Sequence, residues 1–227
     1  MNTSVQRDPS ISAIRYGAFG AAIASLTLVG IAFVPLPAGL EYPGLPVLAG
    51  IRALSPEDLK TFLNGIRGLF ALDGVFLLGW ISAWTGLYEL IRSSDPSRAY
   101  LVLLFGLAGA LTDFGENGII LGALNSLVSG AAAPGYWIVQ WKEIQHLSYW
   151  LPFAGAMLAA GPLWGYGLGG RIASLVGSIL IPVAGAGLYF PALSLVSNLW
   201  FLIWFACLAG LLWFYSGKGL GSYARKG

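Results

Sequence analysis

Six long apolar segments, joined by mostly short connections, constrain this chain more than any other feature. A helix needs about 20 mostly apolar residues to cross a bilayer. The connections are rich in Gly, Pro and Ser, and only the first of them, 35–67, is long. The pattern predicts an all-α fold, a polytopic membrane protein in which residues 1–227 form a single integral membrane domain, a six-transmembrane-helix bundle. The six predicted spans are 11–34, 68–91, 99–124, 136–159, 172–190 and 196–215.

The low content of charged residues argues against a soluble globular protein. Charged residues make up 10% of the chain and hydrophobic types 57%, whereas a soluble domain carries about 25% charged residues. The net charge is +2 and the basic residues form no run, so we expect no nucleic-acid partner. The expected partner is the lipid bilayer. The sequence leaves open a homo-oligomer or a partner in a larger membrane complex.

The distribution of Lys and Arg predicts the orientation, because cytoplasmic loops collect basic residues. One face of the predicted bundle carries three, all in the first loop, and Lys142 lies inside a span. The other face carries eight basic residues, which are Arg7, Arg15, Arg92, Arg98, Arg171, Lys218, Arg225 and Lys226. We therefore expect a multi-pass protein of the plasma membrane, the inner membrane of a bacterium, with N- and C-termini in the cytoplasm.

The second half of the first loop has the pattern of a short helix. Ser55 at the N-cap, Pro56 at the first helical position and two acids behind them are typical of a helix start. Apolar side chains then recur at helical spacing. The pattern predicts one amphipathic helix on the outer membrane surface, either a connector or a functional lid. Its apolar positions are Leu59, Phe62, Leu63 and Ile66.

Polar residues within the predicted spans are the candidate functional residues, because ionisable groups in a bilayer are costly and often functional. At 1.5 Å per residue, all ionisable residues away from the span ends fall in the outer half of the membrane. They can therefore share one polar site that opens to the outside. The candidates are Asp73 in span two, Asp113, Glu116 and Asn117 in span three, and Lys142, Glu143 and His146 in span four.

Helical geometry narrows the set. In span three, Asp113, Glu116 and Asn117 share one face with Gly106, Gly109 and Ala110, whose small size lets a neighbouring helix approach. Lys142 is expected to pair with Glu116 or Asp113, unless it extends to the headgroups instead. The remaining carboxyl groups must then hold a proton, a cation or water.

Each candidate also has a purely structural reading. Asp73 could be a solvated acid near a span end, and His146 a packing residue. The stripe of Asp113, Glu116 and Asn117 could equally be a polar clamp that joins helices.

The sequence gives no support to several kinds of chemistry. Cys207 is the only cysteine and His146 the only histidine, so neither a disulfide nor a multi-histidine metal centre can form. The single Glu143-x-x-His146 pair cannot complete a di-iron site. We predict no catalytic residue and no metal ligand set, and the cofactor is unknown.

Three functions fit these observations. The first is a transporter-like or ligand- and ion-binding protein built around the buried acid/His/Lys cluster. The second is an accessory or structural subunit of a larger membrane complex, with the cluster as a helix–helix clamp. The third is an intramembrane enzyme, and the sequence leaves open whether the chain is an enzyme at all.

The eight-to-three asymmetry of basic residues gives a testable topology. A cysteine placed at Ser129 should react with a membrane-impermeant thiol reagent added from outside, and one at Ser94 should not. The reverse labelling pattern would contradict the orientation.

Overall fold

The structure is a computed structural model that describes residues 10–31, 33, 55–129, 135–190 and 194–217. These residues form helices joined by short turns, and no strand occurs among them. The helices are α1 (Ile11–Ile31), α2 (Pro56–Ile91), α3 (Pro96–Val128), α4 (Gly135–Trp164), α5 (Gly167–Val176), α6 (Ile181–Gly187) and α7 (Ser194–Gly217).

Five helical segments within the described residues are long and apolar enough to cross a membrane. They correspond to α1, α2, α3, α5 together with α6, and α7. The predicted fourth span, α4, is 30 residues long but is not among the five. It contains Pro152 and Pro162 and begins with a polar half. The chain is thus helical with several membrane-spanning candidates, and the sixth crossing remains a prediction.

Helix α2 contains two elements that were predicted to be separate, the amphipathic helix of the first loop and the second span. Its start is as predicted, with Pro56 at the first helical position and the Ser55 hydroxyl accepting a 3.2 Å hydrogen bond from the Asp58 amide. The helix then runs without a break to Ile91. Gly68 lies at the expected boundary, but a glycine inside a helix costs only about 1 kcal/mol and does not by itself end it. The placement of this helix on an outer surface is untested, and the loop residues 34–54 lie outside the described part.

The predicted fifth span, 172–190, is instead two short helices, α5 and α6, with a break at residues 177–180. Gly177 sits where a Cβ would come within 2.8 Å of the Trp204 ring. The carbonyl of Val176 accepts a 3.0 Å hydrogen bond from the Trp200 indole. This side chain satisfies a backbone acceptor at the break, as burial requires.

An aromatic core fills the centre of the bundle. Trp80 and Trp84 of α2 and Trp200 and Trp204 of α7 are almost fully buried. The Trp80 indole donates a 2.9 Å hydrogen bond to the carbonyl of Gly106. A Cβ added to Gly106 would lie 2.2 Å from the Trp84 ring, so the missing side chain is what admits the tryptophan. The sequence prediction of a close-packed glycine face on this helix is confirmed.

Helices α1 and α2 also cross through small residues. A Cβ at Gly17 would be 2.5 Å from the Gly86 Cα, and one at Gly20 would be 2.4 Å from the Ser82 Cβ. Such crossings bring backbones together where lipid supplies no hydrophobic driving force between helices.

Three helices continue past the others at one end. Helix α1 ends near the level of Leu72, since Gly30 approaches that side chain, and Tyr189, just after α6, contacts His146. We call the continuing segments, 56–72 of α2, 118–128 of α3 and 135–144 of α4, the extension. On α2 its exposed side chains are mainly polar, and further along the helix they become apolar, beginning with Val75.

The α1–α2 crossing yields a stability prediction. Gly17→Ala should destabilise the fold by about 1–3 kcal/mol, since the new methyl group meets backbone that cannot move aside. Gly68→Ala is the matched control, because nothing lies within 4 Å of its Cβ position. Thermal unfolding in detergent measures both. Equal melting temperatures for the two variants would contradict the crossing.

Candidate functional site

Two side-chain hydrogen bonds join three helices at the base of the extension. The Asn117 amide of α3 donates to the carboxylate of Asp73 on α2. The Gln145 amide of α4 donates to Glu116 of α3 at 3.0 Å. We call these four residues and Asp113 the acid layer.

Asp113 brings a third carboxyl group to the layer. It is half-buried, and the carboxyl groups of Asp73 and Glu116 lie close enough to act on it electrostatically. The three carboxyl groups also lie near enough to interact electrostatically with the hydroxyl of Tyr149. This hydroxyl donates a 2.8 Å hydrogen bond to Asn198 of α7. The amides of Asn117 and Gln145 donate hydrogen bonds without adding positive charge. The described part of the layer therefore brings three carboxyl groups near one another, with neutral amides donating to two of them.

The acid layer separates two apolar regions. On the bundle side lie Phe76 and Trp80, which belong to the aromatic core. On the extension side lie buried residues at matching levels of α2 and α3, because the Asn117–Asp73 contact fixes their antiparallel register. These are Phe62, Ile66 and Leu69 on α2 and Ile120, Ala123 and Leu124 on α3, each at most 7% exposed. The opening of the site to the outside stays a prediction.

The predicted span-four residues that the structure describes, Glu143 and His146, do not join the acid layer. Glu143 is exposed, and within the described residues it forms no hydrogen bond or ion pair with the layer. His146 is half-buried with its ring 5.1 Å from that of Tyr189. They diverge from Gln145 because successive helical residues point about 100° apart. The side chain of Lys142 lies outside the described residues, so its pairing with Glu116 or Asp113 stays a prediction.

Asp73 is more closely bound into the bundle than a solvated acid at a span end. It is half-buried and accepts from Asn117. The α3 stripe behaves as the periodicity predicted, with Glu116 only 5% exposed and Asp113 and Asn117 half-buried. A metal site has no support: within the described ranges no three His, Cys, Asp or Glu residues are placed to hold an ion.

Some contributors were not among the sequence candidates. They are neutral residues, so a search for charged residues within the spans does not find them. These residues are Gln145, Tyr149 and Asn198. Their signal is periodicity, since Gln145 and Tyr149 are one turn apart on α4 and face α3 and α7 respectively.

A second buried carboxylate lies at the opposite end of the bundle. Glu89 is 9% exposed and pairs with Arg92 at 2.9 Å. It also accepts a 3.1 Å hydrogen bond from the amide of Ser10, which precedes α1. A carboxylate at a helix N-terminus complements the unpaired amides and dipole there, so this group fastens the start of α1 to α2.

Comparison with known proteins finds no relative of this chain. The chain matches no protein-family model, no curated protein and no solved structure. What it does must therefore be argued from its own residues.

The Asn117–Asp73 contact predicts a coupled pair. Asn117→Leu should cost about 1–3 kcal/mol, because it leaves a partly buried carboxylate without its donor. Combining it with Asp73→Leu should recover part of the loss, as a double-mutant cycle of thermal unfolding would show. Asn125→Leu is the control, since this asparagine lies two turns along the same helix and is exposed. Strictly additive effects would mean that the two side chains do not interact.

Proposed function

We propose that this chain is a six-span protein of the plasma membrane whose acid layer binds a proton or a small cation, as a transporter-like or ion-binding protein. The fifth crossing in this proposal is the broken pair α5 and α6, and the fourth is α4. At 1.5 Å per residue the 30 residues of α4 extend about 45 Å, enough to cross a hydrocarbon core of about 30 Å.

The exposed surface supports the placement of the layer within the membrane. Exposed apolar side chains on α3 extend from Tyr100 to Leu121, and exposed Asn125 follows. This belt is about 32 Å long, which agrees with the thickness of a hydrocarbon core. Asp113 and Glu116 fall inside it, about 12 and 8 Å from its Leu121 end.

The observation that carries the proposal is the meeting of three carboxyl groups from α2 and α3 inside this belt. Two carboxylates that share a site of low polarity cannot both stay charged without compensation. A proton bound to one of them, or a cation between them, removes the repulsion. No three acidic residues of the described ranges are placed to hold a metal ion together, so a bound proton, which needs no further ligand, is the simplest way to remove the repulsion.

Buried apolar side chains on both sides of the layer favour a site that is closed to water in this state. Exchange with water then requires α2 and α3 to part on one side of the layer. Such alternating access is how transporters reach a site near the middle of the membrane.

The same hydrogen bonds favour a second candidate, a helix clamp in an accessory or structural subunit. Asn117 links α3 to α2, and Gln145 links α4 to α3. Polar pairs of this kind join helices in a membrane by about 0.6 kcal/mol on average. A clamp would need the pairs but no exchangeable proton or ion.

Infrared difference spectroscopy on protein reconstituted in lipid separates the two functions. Exchange between acidic and neutral buffer, or between choline chloride and sodium, potassium or calcium chloride, should change the carboxyl signals of the wild type. The Asp113 component of this change should be absent in Asp113→Asn and kept in Glu57→Gln, because Glu57 is exposed on the extension. Identical difference spectra for the wild type and Asp113→Asn would contradict binding at the layer. If Glu116→Gln then lowered only the melting temperature, the clamp would be the better account.

A further inference from the structure

A groove lies at the end of the bundle opposite the extension. It has a volume of about 450 Å³ and runs between the start of α5 and the end of α7. Its floor is formed largely by Gly167, Gly169 and Gly210, and its lining is mostly apolar. Leu168 and Phe214 flank it and are 76% and 47% exposed. In a membrane this surface faces the acyl chains.

The groove exists because glycines replace side chains there. A Cβ built on Gly210 meets nothing within 4 Å, and one on Gly169 meets only the Leu211 side chain, at 3.5 Å. Gly167 has a φ of +64°, a conformation that L side chains rarely adopt. It therefore permits the tight turn from α4 into α5. Within the part of the chain that the structure describes, no side chain fills this space.

A cation stands beside this space. Arg171 lies one turn along α5 from Gly167, on the same face, and its guanidinium is 5.8 Å from the centre of the Trp164 ring. The arginine thus extends back toward the helix ends, as basic side chains near a membrane surface do. At the same end Arg92 and Arg98 have carboxylate partners, Glu89 and Asp95. Within the described ranges Arg171 has none.

We propose that the groove binds one acyl chain of an anionic phospholipid, with the lipid phosphate at Arg171. The chain lies over the glycine floor between Leu168 and Phe214, and the guanidinium neutralises the headgroup. Arginine suits this role because its planar fork makes paired hydrogen bonds to phosphate oxygens. The site requires that the chain lies in a bilayer, but it is independent of the acid layer, so either proposal can fail alone.

The test is native mass spectrometry of the protein released from nanodiscs. The nanodiscs contain equal amounts of phosphatidylglycerol and phosphatidylcholine with the same acyl chains, and the bound lipids are counted. The wild type should retain phosphatidylglycerol with about fivefold preference, the effect of one basic residue near an anionic headgroup. Arg171→Gln should remove the preference. Gly210→Leu should reduce the number of retained lipids of both kinds, because the position of its Cβ is open and the rest of the side chain takes up space in the groove.

Two matched controls make the result specific. Arg98→Gln removes the same charge from the same end of the bundle, at an arginine paired with Asp95, and should keep the preference. Gly68→Leu adds the same side chain at another open glycine, and should keep the retained number. An unchanged preference in Arg171→Gln, an equal loss in Arg98→Gln, or an unchanged count in Gly210→Leu would each overturn the proposal.

Discussion

The packing of tryptophan rings into glycine gaps determines the rest of this structure. Trp84 of α2 lies against Gly106 of α3 and Gly155 of α4, where added Cβ atoms would come within 2.2 and 2.9 Å of its ring. Flat, rigid side chains that enter such gaps fix both the spacing and the register of three helices. That register brings Asn117 level with Asp73 and Gln145 level with Glu116, several turns away. The packing of small residues against aromatic rings thus positions the polar residues of the site without contacting them.

The acid layer is costly where it lies, and this cost is the reason to assign it a function. A buried polar group must find a partner or lose stability, and here neutral amides donate to Asp73 and Glu116, with the carboxyl group of Asp113 nearby. A pure clamp needs one donor and one acceptor, so an additional half-buried carboxyl at Asp113 is more than a clamp requires. Binding of a proton or cation would explain that excess. Buried apolar side chains of the extension lie beyond the layer.

In the broken segment of α5 and α6, side chains of a neighbouring helix donate hydrogen bonds to backbone carbonyl groups. Trp200 donates to the carbonyl of Val176, and Ser197 donates to the carbonyl of Ala184 at 2.6 Å. Both donors are on α7, so this helix supports the broken segment along its length. Discontinuous helices in membranes are tolerated where protein buries them. The glycine groove lies at the other end of this segment, between the start of α5 and the end of α7.

The sequence by itself determined the helical membrane class, the helix start at Ser55, and the inward-facing stripe of α3 with its glycines and acids. These follow from composition, capping chemistry and a period of 3.6 residues, all of which are local. Only the tertiary structure decided that α2 is continuous, that α5 and α6 are separate, and that Gln145 joins the acids while Glu143 faces outward. Residues 143 and 145 both lie on a polar stretch of α4, and periodicity does not say which of its faces meets α3. That choice depends on where Gly109 receives Pro152, a contact between helices that no single segment encodes.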